Sequence, residues 1–369
     1  MRILFILENF YPRIGGVETL FLNLVEYLDD IGYHVTVFTN QYDPFLPKTE
    51  KIGKQGQIIR KRYFNRYIFT FGAWWHAIGL ARKADIIHTT SFNAAVPARL
   101  AAKMTKTPVV ITFHERWGEL WDRLPWMSSI SRKLHRAFEA WICGFRFDRF
   151  IAVSEYTKES LIEGGVDPAL VQRIYNGISY DHFPEYRGSE DSTYTFLYYG
   201  RLGYAKGVDL LLQAYHNLKK FRDDHRLLMV IPSEKQPTTE PINQLLEDLG
   251  LQDEIEFKHD LSYVDLIDQI ARVDAVVIPS YSEGFCFAAA ETVAIGTPII
   301  TTGQGALKEV VSGKHIICEE HTASAITTAM HDALENEWQG SEVKKFELID
   351  SLKSYKQLYR DILKEALPK

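Results

Sequence analysis

The sequence predicts an α/β protein with two doubly wound, mostly parallel sheets, and three observations support this fold class. First, 369 residues with 46% hydrophobic content exceed one ordinary core and suit two domains. Second, short apolar runs typical of buried strands alternate with stretches of helical periodicity. Third, the alternation restarts after a polar, turn-forming stretch around 175–192, which we interpret as the linker.

The first half opens with a strand, a helix and a second strand. Arg2 to Leu7 is a short apolar run, Val17 to Ile31 carries apolar residues at helical spacing, and His34 to Thr39 returns as a strand. A glycine loop lies at the first turn. Further strands are predicted at 85–89, 108–113 and 149–153.

The second half repeats this organisation. A strand at 194–199 leads through a glycine-rich loop into an amphipathic helix, and later strands are predicted at 227–231, 255–257, 275–279 and 298–302. A charged amphipathic helix ends the chain with no strand after it. We therefore predict two Rossmann-like domains, 1–178 and 179–345, and a C-terminal helical segment, 346–369, that packs back at the domain junction.

Composition narrows the class of protein. Cys143, Cys286 and Cys318 are odd in number and widely spaced, which predicts neither a disulfide framework nor a zinc site and favours a reducing cytoplasm. The apolar start is too short for a signal peptide, and we expect no membrane span. The net charge of −6 argues against a nucleic-acid partner. The charge is distributed unevenly along the chain, since residues 1–175 hold 23 Lys and Arg against 17 Asp and Glu and are net basic.

Two glycine-rich loops could bind phosphate. Gly15 and Gly16 lie between a strand and a helix, where backbone amides can approach an anion, although a plain turn explains them too. In the second half, Arg201 and Lys206 stand five residues apart in a strand-to-helix loop. A planar guanidinium and a point-charged amine suit a diphosphate, and a solvated basic loop is the alternative.

Carboxylates and histidines follow other strands. Glu283 is predicted to end a loop, and Glu291 to lie two turns into the next, alanine-rich helix, where a ligand hydroxyl pair would explain a partly buried carboxylate. The alternative is a capping Glu283 and a surface Glu291. His114 closes a strand and suits either a sugar hydroxyl or a structural role, whereas for His88 we favour the structural role.

Together and in this order, these residues resemble the retaining glycosyltransferases of family 4, the group 1 glycosyltransferases. The resemblance implies the GT-B fold, in which two Rossmann-like domains face each other across an interdomain cleft. It covers nearly the whole chain, and its motifs are Gly15-Gly16-Val17-Glu18, Val153-Ser154-Glu155-Tyr156-Thr157, Asn176-Gly177-Ile178, Gly200-Arg201-Leu202 with Lys206-Gly207, Pro279-Ser280 with Glu283-Gly284-Phe285, and Glu291 with Gly296-Thr297-Pro298.

The resemblance also implies roles for single residues. Arg201 and Lys206 would hold the donor's diphosphate, Glu283 the sugar hydroxyls and Glu291 the ribose. The resemblance also implies donor contacts from Gly15, Gly16, Gly284, Phe285 and Cys286. His114 would lie beside the transferred sugar, and Glu18 on the acceptor side. The implied catalytic group is Arg201, Lys206, Glu283 and His114, with no enzymic nucleophile.

The implied activity is transfer from a nucleotide sugar, UDP-sugar first and GDP-sugar next, to a glycan or lipid-linked acceptor in polysaccharide, glycolipid or glycoprotein synthesis. No Asp-x-Asp occurs, so we expect no metal and no other cofactor. Two departures affect the donor pocket: Val230 to Glu234 lacks the family's glycine-rich turn, and Cys286-Phe287 replaces a small aliphatic pair. An epimerase or hydrolase on this architecture and a non-catalytic partner subunit are the alternative functions.

Basic and aromatic residues mix in two stretches of the first half, one running from Arg60 to Trp75 and the other from Arg116 to Phe150. Such mixtures suit an anionic membrane surface, where cations meet headgroups and rings lie at the interface. They would place a cytoplasmic enzyme peripherally at the inner face of the membrane. The alternative is that the aromatic rings are core and the cations are merely solvated.

Overall fold

The computed structural model describes residues 1–13, 15–190 and 192–366, which form two compact units. The first unit comprises Met1–Gly118, Leu134–Gly177 and the C-terminal helix, and the second comprises Glu119–Lys133 and Ile178–Glu347. The break at Gly177 falls at the predicted linker. The C-terminal helix, predicted within 346–369, belongs to the first unit, and positions 367–369 lie outside the described residues.

Each unit is built on one sheet. The strands of the first sheet are β1 (Arg2–Leu7), β2 (His34–Asn40), β3 (Thr49–Ile52), β4 (Gly56–Lys61), β5 (Ile86–Thr90), β6 (Val109–Phe113), β7 (Arg149–Ala152) and β8 (Val171–Arg173). Those of the second are β9 (Tyr194–Tyr199), β10 (His225–Ile231), β11 (Ile255–His259), β12 (Ala275–Ile278), β13 (Ile299–Thr301), β14 (Lys314–Ile317) and β15 (Gln339–Gly340).

Helices connect the strands. In the first unit they are α1 (Gly16–Asp30), α2 (Arg66–Gly72), α3 (Trp74–Ala81), α4 (Ala95–Thr105), α5 (Ser129–Cys143) and α6 (Glu155–Glu163), of which α5 begins in the segment grouped with the second unit. Those that follow along the chain are α7 (Val208–Lys219), α8 (Thr239–Leu249), α9 (Tyr263–Ala271), α10 (Phe287–Ile295), α11 (Leu307–Val310), α12 (Ala323–Leu334) and α13 (Leu348–Ala366). None of the described helices is long and apolar enough to cross a bilayer.

The two sheets have the same strand order at their centres. The first runs β3-β4-β2-β1-β5-β6-β7-β8 and the second β11-β10-β9-β12-β13-β14-β15. Apart from the antiparallel edge strands β3 and β15, each pairing is parallel. The order therefore reverses between β1 and β5 and between β9 and β12. In doubly wound sheets, loops at the carboxyl ends of the strands beside such a reversal form the ligand site.

The first sheet is buried on both faces. One face packs against α2, α3, α4, α5 and α6, and the other against α1 and α13. The C-terminal helix is held by its apolar stripe and by two tyrosines, since Tyr359 bonds His88 Nδ1 at 2.6 Å and Tyr355 bonds Thr112 at 3.3 Å. His88 and both tyrosines are fully buried, and this contact agrees with the expected structural role of His88.

The predicted fold class, two Rossmann-like α/β sheets, is confirmed. Strands β1 and β9 have the predicted bounds, and the other predicted strands differ by one or two residues at one or both ends. The strands β3, β4, β8, β14 and β15 were not predicted, since they are short and partly polar and lack a clean apolar run.

Candidate active site

The loops of the second unit that follow β9 and β12 are locked together by backbone contacts. Gly207 has φ 65°, and a Cβ there would lie 2.0 Å from the carbonyl oxygen of Pro279. The amide of Tyr281 donates to the carbonyl of Ala205 at 2.8 Å. Only glycine tolerates both the left-handed backbone and this close approach, so the glycine of the predicted loop sets the distance between the two loops.

A third loop, after β13, closes on the same place. The amide of Ala306 donates to the carbonyl of Glu283 at 2.8 Å, and a Cβ on Gly305 would lie 2.3 Å from that carbonyl. The hydroxyl of Thr302 donates to the carbonyl of Ser280 at 2.7 Å. Loops from three strands thus hold the backbone of the segment from Pro279 to Glu283, which carries this carboxylate.

Lys206 and Glu283 meet in an ion pair. Lys206 Nζ lies 2.7 Å from Glu283 Oε1, which also accepts from the hydroxyl of Ser280 at 2.7 Å. The side chain of Glu283 is 9% exposed and that of Lys206 35%. Burial disfavours the ammonium ion, but the adjacent carboxylate outweighs it and raises the pKa of Lys206 above its usual value. Lys206 is therefore a fixed positive charge at the edge of solvent.

Arg201 stands on the same loop with an exposed side chain. Its backbone is held, since its carbonyl accepts from the hydroxyl of buried Tyr198 at 3.0 Å. The structure therefore places both predicted cations on one constrained loop at the strand-order reversal. An anion arriving there would meet one solvent-facing guanidinium and one half-buried ammonium group.

The N-terminus of α10 adds backbone donors. Cys286 precedes the helix with φ 74°, is buried, and provides no side-chain cap. The ring of buried Phe285 packs edge-on against Phe287 and Phe346, with centroids 5.4 and 5.2 Å away. Glu283 accepts from Lys206 and Ser280 and does not cap this helix, so the capping alternative is wrong. The first amides of α10 lack intrahelical partners, which favours an anion there.

Glu291 is the fifth residue of α10, just over one turn in, so the prediction of two turns was wrong because the helix begins later than expected. Its Oε1 accepts from the hydroxyl of Tyr263 at 3.3 Å. Burial raises the pKa of Glu291 to about 7, and hydrogen bonds from Tyr263 and Tyr199 lower it in part. The carboxyl group is thus poised to change charge near neutral pH.

In the first unit, Gly15 and Gly16 begin α1 beside the carboxyl end of β1. Gly15 caps the helix in an extended conformation, φ 175°, which other residues also adopt. The backbone conformation at this position therefore does not require glycine. Glu18 lies in the first turn and is 8% exposed. An acidic side chain there is favoured by the helix dipole.

His114 follows β6 in the first unit. Burial lowers its pKa to about 4, so the imidazole is neutral at neutral pH. Its Nε2 is buried with no hydrogen-bond partner among the described residues, and its ring lies edge-on to Phe21 at 6.0 Å. A neutral imidazole with one unused nitrogen can bond a hydroxyl group.

Sequence reasoning missed a polar cluster at the carboxyl edge of the first sheet. Asn93 donates to Glu8 Oε2 at 2.7 Å and bonds Thr70 at 3.1 Å, and Arg66 pairs with Glu8 Oε1 at 3.4 Å. Glu8 directly follows β1, a position that could have marked it. Asn93 and Thr70 carry no such local signal. No group of three or more His, Cys, Asp and Glu suited to a metal ion occurs among residues 1–13, 15–190 and 192–366.

Comparison with known proteins covers both units. The sequence profile of Glycosyltransferase Family 4 matches residues 14–182, and that of Glycosyl transferases group 1 matches residues 181–349. Glycogen synthase of Mycobacterium tuberculosis is 27% identical, with 91% of this chain and 86% of that protein covered. Alpha-monoglucosyldiacylglycerol synthase of Streptococcus pneumoniae is 24% identical, with 85% and 74% covered.

Solved structures agree in fold. Sucrose-phosphate synthase of Thermosynechococcus elongatus superposes with a TM-score of 0.81 at 20% identity, covering 99% of each chain. Anabaena HepE in complex with UDP and glucose superposes with a TM-score of 0.71 at 16% identity, covering 97% of this chain and 99% of that one. At these identities the likeness establishes the fold.

Proposed function

Because the chain belongs to the group 1 glycosyltransferases, as the resemblance implied, we propose that it is a retaining enzyme that takes a sugar from a nucleotide diphosphate sugar without a metal ion. The observation that carries the proposal is the Lys206–Glu283 pair, 2.7 Å apart and fixed by three loops at the strand-order reversal. Such a pair presents a positive charge for a diphosphate beside a carboxylate for sugar hydroxyls.

The proposed reaction breaks the bond between the anomeric carbon and the diphosphate oxygen and forms a bond to the acceptor oxygen on the same face. The acceptor's proton passes to the departing phosphate oxygen. Negative charge grows on the diphosphate, where Lys206, Arg201 and the first amides of α10 can stabilise it. Glu283 would hold the sugar's hydroxyls with the amides of Gly284, Phe285 and Cys286.

Residues of the first unit take the remaining roles in the proposal. His114, with its free Nε2, would bond a hydroxyl of the transferred sugar. The amides of Gly15 and Gly16 would contact the donor's phosphate, and Glu18 would lie on the acceptor side. Each role follows from the family resemblance and from the position of the residue at the carboxyl edge of its sheet.

UDP-sugar is the proposed donor, with GDP-sugar next. The support is that the structural relative HepE was solved with UDP and with UDP-glucose. The proposed acceptor is a glycan or a lipid-linked sugar, in keeping with relatives named glycogen synthase and alpha-monoglucosyldiacylglycerol synthase. We further propose a cytoplasmic site of action at the inner face of the membrane, in polysaccharide, glycolipid or glycoprotein synthesis.

Product analysis tests the proposal. The enzyme is incubated in EDTA with UDP- and GDP-sugars, with and without glycan and lipid-linked acceptors, and the anomeric configuration of the product is read by NMR. We expect acceptor-dependent transfer with the donor's configuration kept. An inverted product, or epimerised or hydrolysed donor without any acceptor, would overturn it in favour of another mechanism or another enzyme class. A folded protein inert towards each donor would indicate a partner subunit.

The raised pKa of Glu291, about 7, predicts pH-dependent nucleotide binding. If the ionised carboxylate accepts the ribose hydroxyls, affinity should rise about tenfold from about pH 6 to about pH 8 as the carboxyl group loses its proton. Stability should change in the opposite direction, because an acid whose folded pKa exceeds its unfolded value destabilises the fold once ionised. The free energy of unfolding should therefore fall as the pH rises from 4.5, the pKa of Glu291 in the unfolded chain, to about 7, its pKa in the folded protein.

Glu291→Gln is the matched variant, since it keeps the shape and removes the titration. Calorimetric titration of the nucleotide across this pH range should give a flat profile for Glu291→Gln, with affinity near the low-pH value of the wild type. Tyr263→Phe removes one hydrogen bond that lowers the pKa of Glu291, so it should shift the midpoint upwards. A wild-type profile as flat as that of Glu291→Gln would contradict the role of this carboxylate.

A further inference from the structure

The outer face of α2 and α3 carries large apolar side chains that have no cover. Among the described residues, the α2–α3 face comprises Phe64, Tyr67, Ile68, Phe71 and Trp75, which are 86%, 61%, 45%, 58% and 70% exposed. We propose that this face docks on an anionic lipid bilayer. The proposal rests on the first unit alone and does not depend on the sugar chemistry.

Local structure places these side chains together. Asn65 caps α2 by accepting from the amide of Ile68 at 2.9 Å, which fixes where the helix begins. Ala73 between the helices keeps a right-handed helical backbone, φ −67° and ψ −22°, so α3 nearly continues α2. Tyr67, Phe71 and Trp75 are spaced four residues apart and therefore lie on one side.

The core of the unit does not need these residues. The opposite side of the same two helices is buried, with Phe69, Ala73 and Ala77 fully covered by the first sheet and its helix layer. Single exposed apolar residues are normal, but five within twelve positions, two of them more than two-thirds exposed, form a patch typical of an interaction site. The exposed ring of Trp75 stacks on that of Trp74, with centroids 4.2 Å apart.

Charge identifies the partner. Between 61 and 106, a segment that includes α2, α3 and α4, the sequence has eight Lys and Arg and a single acid, Asp85. Lys61 and Arg62 are exposed beside the face, and the Arg62 guanidinium lies 6.0 Å from the ring centroid of Phe64. Apolar rings among cations fit the boundary between anionic headgroups and acyl chains.

A second copy of this chain fits less well. A two-fold interface would place the same cations against one another, and like charges in apposition are unfavourable. A bilayer with anionic lipids instead supplies the opposite charge to Lys61 and Arg62 beside the face. The short helices α2 and α3 would lie in the plane of the headgroups with their aromatic rings inserted.

If the proposed function holds, docking through this face would bring the membrane close to the acceptor side of the enzyme. Helix α2 begins at the carboxyl edge of the first sheet, where Arg66 pairs with Glu8 and Thr70 bonds Asn93. A bilayer on the α2–α3 face would therefore lie next to the carboxyl edge of the first sheet, where α1 begins and where Glu18 is assigned to the acceptor side. A lipid-linked acceptor could then reach this edge without leaving the membrane.

Vesicle flotation with the full chain tests the docking. Phosphatidylcholine vesicles are compared with vesicles of equal parts phosphatidylcholine and phosphatidylglycerol. The variants are Phe64→Ser with Trp75→Ser, and Lys61→Gln with Arg62→Gln, each exposed and checked for folding by circular dichroism. The matched controls are Phe221→Ser in the second unit, 77% exposed, and Lys353→Gln on α13, which covers the opposite face of the sheet.

We expect binding to the anionic vesicles only. Removing the two rings should weaken it at least about tenfold, and each removed cation about fivefold, while the controls bind like the wild type. No flotation of the folded wild type, equal flotation with both vesicles, or equal losses in the controls would overturn the proposal. So would a dimer in analytical ultracentrifugation that the Phe64→Ser, Trp75→Ser variant dissociates. An enzyme inactive in transfer but still floating would contradict the proposed function alone.

Discussion

Lys206→Ala is expected to lower kcat about 10²- to 10³-fold, because a fixed charge that stabilises a leaving group contributes about this much to catalysis. In the protein, Lys206 Nζ is held 2.7 Å from Glu283 Oε1. The loss should fall more on kcat than on KM, since charge on the diphosphate is greatest as the sugar departs. Steady-state kinetics with the donor identified by product analysis measures both constants.

The control for Lys206→Ala is Lys219→Ala. Lys219 also pairs with a glutamate, Glu254, but stands at the far end of α7, away from the carboxyl edge of the second sheet. Its removal should leave kcat unchanged. Glu283→Gln, which keeps the bond from Ser280 but not the ion pair, should lose activity as Lys206→Ala does. Wild-type kcat in folded Lys206→Ala protein would refute the assignment.

Gly207→Ala is expected to destabilise the second unit by about 3–5 kcal/mol, because it combines a left-handed backbone with a clash that the loops cannot relieve. The added Cβ would lie 2.0 Å from the carbonyl oxygen of Pro279, at φ 65°. Relief would require the loops after β9 and β12 to separate. Activity should therefore fall even where the variant stays folded, and urea unfolding measures the loss of stability.

Substitutions at two other glycines distinguish the cost of the left-handed backbone from the cost of the steric clash at Gly207. Gly250 has φ 64° with no atom within 4 Å of an added Cβ, so Gly250→Ala should cost only the backbone strain, about 1 kcal/mol. A Cβ on Gly203, in the same loop as Gly207, would meet Lys206 Cγ at an ordinary 3.5 Å, so Gly203→Ala should be nearly neutral. If Gly207→Ala lowered the free energy of unfolding no more than Gly250→Ala, the contact between Gly207 and Pro279 would not lock the two loops together.

Most of the parallel strands were predictable because each is a short apolar run that must be buried on both faces. Strand β4 was not, since Arg60 and Lys61 end it and resemble a solvated basic stretch. In the structure Arg60 is 1% exposed and donates to the carbonyls of Tyr11 and Pro47 and to Glu50. Those partners are scattered along the chain, and no local pattern identifies them.

The sequence was sufficient to predict which loops of the second unit come together at the candidate site. Lys206 and Glu283 follow strands that neighbour each other in a doubly wound sheet, so their proximity follows from topology. The partners of Glu291 did not follow from the sequence, because Tyr263 lies on another helix, 28 positions away. The sequence did not decide whether the aromatic rings between Arg60 and Trp75 are buried in the core or exposed at the surface. The structure divides them, with Phe69 buried and Phe71 exposed two positions later.

Calorimetry in EDTA tests whether the second unit binds a nucleotide sugar through Lys206 without a metal ion. UDP, GDP and ADP and their common sugar conjugates are titrated into wild-type, Lys206→Ala and Lys219→Ala protein. We expect one nucleotide family to bind wild-type and Lys219→Ala protein equally and Lys206→Ala protein at least about tenfold more weakly. No binding by the wild type, or equal binding by all three proteins, would contradict it.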